Sequence, residues 1–294
     1  MHSANNQPRK AIALFLLLTF GLSSIFYFLI IHTGRLGSGW GLYVTGLMWC
    51  PGISALITSR LMKRKISLLG WQWGNTRYQV WSFLVPILYA IAAYLVIWII
   101  GWGGFYNADF VTQVSAAFGF GSLPQWLTII LFFILTGIYG LPASVASAMG
   151  EEIGWRGFLV PELSKTMNYT KTSLLVGCIW ALWHFPILIF ADYNSGTPTW
   201  FALSCFTVMV ISISFVFTWF RLKSNSLWTG VLLHASHNLY IQSIFTPLTA
   251  DKGQTKYYID EFGAVLPVVC LLVAIYFWTR RKELQNEASM ATPV

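Results

Sequence analysis

The chain has 294 residues, of which 56% are hydrophobic and only 10% charged, against roughly 25% charged in a soluble domain. That deficit excludes an ordinary water-exposed globule. The formal net charge of +8 does not mark a nucleic-acid binder, because the basic residues sit in short segments between apolar runs, the pattern of membrane topology.

Apolar runs of about 18 or more residues read as membrane-spanning helices. The first, 11–31, follows Arg9 and Lys10. It is too long for the apolar core of a signal peptide, and no small-x-small cleavage site follows, so it reads as a retained helix. The second run is 40–62. Segment 63–78 then carries Lys63, Arg64, Lys65, Trp71, Trp73 and Arg77, the mixture of an interfacial amphipathic stretch. The third run is 80–102. Segment 103–124, rich in Gly, Phe and Ser, reads as a short re-entrant or surface piece. The fourth run is 125–149, and Leu141-Pro142 within it is expected to break or kink the helix, since proline removes a backbone donor. Runs at 172–190, 199–220, 226–246 and 262–279 follow, and the chain after Arg280 is short and polar. The expected fold is an all-α polytopic membrane protein of about eight transmembrane helices. It forms a single transmembrane domain over 1–294, with the motif-bearing core at approximately 125–246.

Lysine and arginine orient these helices. With the N-terminus inside and strict alternation, the inside segments 9–10, 60–77, 156–171, 221–223 and 280–282 hold all the basic residues except Arg35, Lys252 and Lys256. Such asymmetry places both termini in the cytoplasm of a multi-pass cell-membrane protein. The four cysteines, Cys50, Cys178, Cys205 and Cys270, lie in apolar runs without metal-ligand spacing and read as packing residues.

Ionisable groups within membrane helices are costly and face a protein-lined or aqueous cavity. Three clusters qualify. In Gly150-Glu151-Glu152-Ile153-Gly154-Trp155-Arg156, Glu152 and Arg156 are four apart and can pair on one helix face. Glu151 lies about 100° around the helix, free to face a substrate. His184, in Trp180-Ala181-Leu182-Trp183-His184-Phe185-Pro186, falls near mid-membrane. His234 and Asn238 are one turn apart, and His237 partly shares their face. No GxSxG and no His-Glu-x-x-His is evident, so neither a serine nucleophile elbow nor a zincin site is indicated. Carboxylates, imidazoles and an amide suit activation of water by a general base with donors to an oxyanion. The same side chains could equally supply zinc ligands, and spacing does not choose between the two.

In this order the clusters resemble the CAAX protease and bacteriocin-processing family (CPBP, also called Abi), which includes type II CAAX prenyl endopeptidases. They read Glu151-Glu152-x-x-x-Arg156, Trp180-x-x-x-His184 and His234-x-x-x-Asn238, with Gly154-Trp155-Arg156-Gly157-Phe158-Leu159 and Ser226-Leu227-Trp228 as matching flanks. Trp180 stands where phenylalanine is commoner. The resemblance implies an eight-helix membrane protease with a polar cavity open to the cytoplasmic side. Its substrate would be a membrane-associated peptide or protein, prenylated or not. Glu151 would be the general base, His184 would position and polarise the water, and His234 and Asn238 would line the oxyanion hole. Glu152 and Arg156 would orient Glu151. No cofactor is implied; zinc, if used, would fall on Glu151, His184 and His234. Two other readings stay open: a non-proteolytic immunity or scaffold protein, and a solute transporter, which the lack of an inverted repeat disfavours.

Overall fold

The computed structural model describes residues 6–34, 41–191 and 193–284. Each of the eight apolar runs is helical. They form α1 (Asn6–Thr33), α2 (Leu42–Leu61), α3 (Thr76–Ile100), α5 (Gln125–Glu152), α7 (Tyr169–Phe190), α8 (Thr199–Ser224), α9 (Trp228–His237) and α11 (Val265–Thr279). Between them lie α4 (Ala108–Phe118), α6 (Val160–Ser164) and α10 (Thr246–Leu248). Among the described residues, six helices are long and apolar enough to cross a membrane, the fourth as a continuous Gln125–Ser164 span. The last, α11, has 15 residues, about 22 Å at 1.5 Å per residue, shorter than the ~30 Å hydrocarbon core.

Helix starts follow local chemistry. Asn75, Asn107 and Asn168 accept from the backbone N–H groups of Arg77, Phe110 and Lys171 at 2.9, 3.2 and 3.0 Å, satisfying orphan donors of the first turn. These caps carry α3 and α7 several residues beyond their apolar runs. Segment 103–124 forms β1 (Gly104–Phe105), which pairs antiparallel with β2 (Thr249–Ala250), followed by α4. Within 63–78, Ile66–Leu69 forms a single 3₁₀ turn, and the stretch after it bonds to the α8–α9 corner: Leu227 N–H donates to the Gly70 carbonyl at 2.7 Å and Gln72 Nε2 to that of Asn225 at 2.7 Å.

The fourth helix does not break at Pro142; it is continuous from Gln125 to Glu152. Pro142 is exposed on the surface of this helix. The irregularity comes later, as a π-helical segment at Ile153–Leu159 that leads into α6. A second π segment, Asn238–Phe245, follows α9. Each begins beside a motif residue, and wide turns of this kind re-aim neighbouring side chains.

Residue 7 and segments 64–73, 156–165, 221–228 and 280–283 meet at one end of the bundle. There Arg64 pairs with Glu162, and Lys223 Nζ lies 4.0 Å from Glu283. The opposite end holds the β1–β2 pair, the Trp102–Tyr258 ring stack at 4.4 Å and the bond from Lys256 Nζ to the Gly196 carbonyl at 2.9 Å. The expected inside segments therefore gather on one side; Arg35 and the residues after 284 lie outside the described residues.

The backbones of α2 and of the π segment that follows the fourth helix touch. A Cβ on Gly154 would lie 2.5–2.7 Å from Pro51 atoms, its backbone carbonyl included. Gly154→Ala should therefore force the helices apart and lower stability by about 1–3 kcal/mol, seen as a lower unfolding temperature in detergent; an unchanged temperature would mean that α2 yields freely.

Candidate active site

The π segment that follows Glu152 brings four polar side chains of the first motif into the core. Glu151, Glu152 and Arg156 are almost completely buried, and Trp155 with them. The two adjacent carboxylates have different partners. Glu152 Oε1 accepts from Arg156 Nη1 at 2.8 Å and faces His234 Nδ1 at 2.9 Å. Glu151 Oε2 accepts from two indoles, Trp180 Nε1 at 2.7 Å and Trp155 Nε1 at 3.1 Å. Indole is a donor only, so these bonds fix one carboxylate oxygen of Glu151 and supply no proton acceptor in competition with it.

Arg156 closes this layer. Its guanidinium carbon lies 4.2 Å from the Trp180 ring centre and 3.7 Å from that of Phe217. Arg156 Nε and Nη2 have no hydrogen-bond partner among the described residues, and the two π faces are what they meet instead. Arg221 Nε donates to the Arg156 carbonyl at 2.8 Å, satisfying an acceptor that the π segment would otherwise strand. Glu152 has close neighbours as well: a Cβ at Gly230 would lie 2.6 Å from Glu152 Oε2, so only glycine lets α9 approach this carboxylate.

His184 Nδ1 sits 3.0 Å from the Trp180 carbonyl. A carbonyl accepts only, so Nδ1 carries a proton, and in the neutral ring Nε2 holds the lone pair. His237 is bonded on both sides, Nδ1 to the Tyr89 hydroxyl and Nε2 to Glu261 Oε1 at 2.8 Å. It thus links α3 to the loop before α11. Asn238 makes no side-chain hydrogen bond among the described residues and is half-buried.

These groups surround a cavity of about 220 Å³. Glu151, His184, His234 and Asn238 all line it, together with Trp180, His237 and Glu261. Glu152 and Arg156 stand behind the wall, joined to the cavity through His234. Of the six residues singled out in the sequence, four face the cavity and two support them. Sequence reading missed Glu261, Tyr89 and the indole of Trp155. The last of these had a signal, since Trp155 follows Glu151 at the same four-residue spacing that pairs Glu152 with Arg156.

The cavity does not lead to the basic end. Trp155, Arg156, Phe158, Leu159 and Val160 are at most 3% exposed there, because burying the Glu152–Arg156 pair requires a closed aromatic and aliphatic layer over it. Its lining runs the other way, through Tyr193 and Gln242, into a shallower pocket with Asn194, Ser195, Asp260 and Phe262. At this mouth, burial and then the adjacent Glu261 push the Asp260 carboxyl up to about 7. Burial also opposes ionisation of Glu261, but its bond to His237 outweighs that and holds its carboxyl below the usual range.

Among the described residues no group of three or more His, Cys, Asp and Glu side chains is placed to hold a metal ion. The four cysteines are free; Cys50 and Cys270 are buried, Cys205 is half-buried and Cys178 is exposed.

Residues 122–240 match the family model of Rce1-like type II CAAX prenyl endopeptidases. A curated relative, CAAX prenyl protease 2 of Methanococcus maripaludis, is 26% identical over 135 residues, which is 44% of this chain and 45% of the relative. The chain thus matches less than half the length of that relative. The resemblance read from the three motifs holds over the segment that carries them.

Proposed function

We propose that this protein is an intramembrane endopeptidase in which Glu151 activates the attacking water. The observation that carries the reading is the unequal treatment of two adjacent buried carboxylates. Glu152 is bound by Arg156 and His234. Glu151 is anchored through one oxygen by Trp155 and Trp180, and it lines the cavity. A base needs to be held in place yet keep an oxygen for the proton.

In the proposed reaction, water sits between Glu151 and His184, whose Nε2 accepts one of its hydrogens. Glu151 takes the other proton as the water oxygen bonds to the substrate carbonyl carbon. The negative charge passes to the carbonyl oxygen, where His234 and the Asn238 amide are the available donors, in the manner of an oxyanion hole. His234 donates there as an imidazolium. With two carboxylates and one guanidinium in the cluster, that charge brings it to neutrality, which burial favours. Collapse breaks the C–N bond, and Glu151 returns its proton to the leaving amine.

The reading needs no cofactor. Zinc on Glu151, His184 and His234 is the competing assignment, and the chelator comparison below decides between the two. The substrate is a membrane-associated peptide or protein, with a prenylated C-terminus the first class to try, as the relative's name suggests. The basic end of the bundle is assigned to the cytoplasm, with both termini, by the charge rule. The mouth by Asp260 then faces the opposite side.

The test is proteolysis by the purified protein in liposomes. Farnesylated, unprenylated and membrane-spanning peptides would be followed by mass spectrometry with and without a strong chelator. We expect cleavage of at least one class, unaffected by chelator. Cleavage abolished by chelator and restored by zinc would sink the metal-free mechanism. A folded protein that cleaves none of the three would favour the non-proteolytic reading.

A further inference from the structure

A second, larger cavity lies away from the motif residues. It is a groove of about 660 Å³ between α3, α8 and α11. Val85, Leu88 and Ala92 form one wall and Val269 and Val273 the other. Leu88 is 54% exposed, so the groove opens sideways to whatever surrounds the bundle. Its composition changes at the basic end, where Arg77, Lys223, Arg280 and Glu283 line it. Arg280 is held by both oxygens of Glu283, at 2.5 and 2.9 Å, and its guanidinium carbon lies 4.7 Å from the Trp219 ring centre. Lys223 Nζ is 4.0 Å from the same carboxylate. Among the described residues that line this end, three are cations and one is a carboxylate.

The dimensions say what kind of molecule fits. From Arg77 to Ala92 is fifteen residues along α3, about 22 Å at 1.5 Å per residue. Half a bilayer, headgroup included, is about 20–22 Å. The groove therefore spans one leaflet, cationic at headgroup depth and apolar below, with Trp81, Phe220 and Phe277 beside the aliphatic residues. A peptide strand would leave its backbone groups unpaired against these apolar walls. We propose that this groove is a binding site for one anionic phospholipid, with its phosphate at Arg77, Lys223 and Arg280 and an acyl chain along Val85–Ala92 and Val269–Val273.

The site adjoins the first cavity. Its floor includes Tyr89, which is 2% exposed and whose hydroxyl bonds to His237 Nδ1. His237 in turn lines the first cavity and holds Glu261. An acyl chain lying on Tyr89 thus restrains a side chain that positions the wall opposite Glu151. That consequence rests on the proposed protease reading; the binding does not.

Native mass spectrometry of the full chain in detergent, titrated with phosphatidylglycerol or phosphatidylcholine of identical chains, tests the site without any substrate. We expect phosphatidylglycerol to bind about tenfold more tightly or better, the scale of one or two basic side chains at a membrane surface. The double variant Arg77→Gln/Lys223→Gln should lose that preference, and Ala92→Trp, which fills the groove and leaves its charges, should weaken both lipids. Equal binding of the two lipids by the wild type overturns the proposal. So does phosphatidylglycerol binding that survives Ala92→Trp, since a headgroup contact without the groove would explain it. Thermal unfolding checks that each variant is folded; where one is not, the wild-type comparison decides alone.

Discussion

Glu151→Gln should slow peptide cleavage by about 10²–10⁴-fold, the usual worth of a general base, with little change in KM or in stability. The geometry explains why this variant is informative. Trp155 and Trp180 both donate to Glu151 Oε2, and an indole N–H cannot accept. A glutamine here must turn its carbonyl oxygen to the indoles and its NH₂ to the cavity. The fold keeps both anchoring bonds, and the group facing the water becomes a donor that cannot take a proton. Single-turnover kinetics in liposomes separates this loss from weaker binding. Glu152→Gln supplies the contrast, because it should disturb Arg156 and His234, and thereby both stability and the oxyanion side, rather than the base itself. If Glu151→Gln cleaves at the wild-type rate, another group activates the water, and Glu261, on the same cavity, would be the next carboxylate to test.

Much of this arrangement could be read from the sequence, because its strongest signals are local. Apolar length located all eight main helices, and the Asn75 and Asn168 caps account for most of the error at their starts. The four-residue spacing of Glu152 and Arg156 announced a pair that is present at 2.8 Å. What escaped was set by tertiary contacts. The π segments after Glu152 and His237 replace ordinary α-turns, and no residue type in them demands it. Pro142 suggested a break, yet the helix runs through it unbroken. Tyr89 and Glu261 meet His237 across 148 and 24 residues, and a tyrosine in an apolar run or an acid in a polar loop gives no warning of that. The direction of the cavity depends on which end the Arg156 layer seals, a property of Trp180 and Phe217 packed around it rather than of any motif.

That layer carries the largest expected effect on stability. Arg156→Ala should cost about 3–5 kcal/mol, the range for breaking a buried ion pair from one side. Glu152 is fully buried, and its Oε2 has no partner among the described residues. Without the guanidinium, His234 alone would face a carboxylate that water does not reach. Arg156→Lys should recover only part of the loss, since an ammonium keeps the charge but not the planar group between Trp180 and Phe217. The double variant Glu152→Gln/Arg156→Met removes both charges and should return most of the stability, because a buried pair contributes little beyond the desolvation it offsets. Its cleavage rate should nevertheless stay low, as His234 loses the carboxylate that favours its donor form. Unfolding in detergent, read beside the rate for all three variants, therefore separates the pair's structural part from its chemical one. Recovery of stability together with full activity would mean that Glu152 and Arg156 only fill space, and would leave Glu151 to be oriented by the two indoles alone.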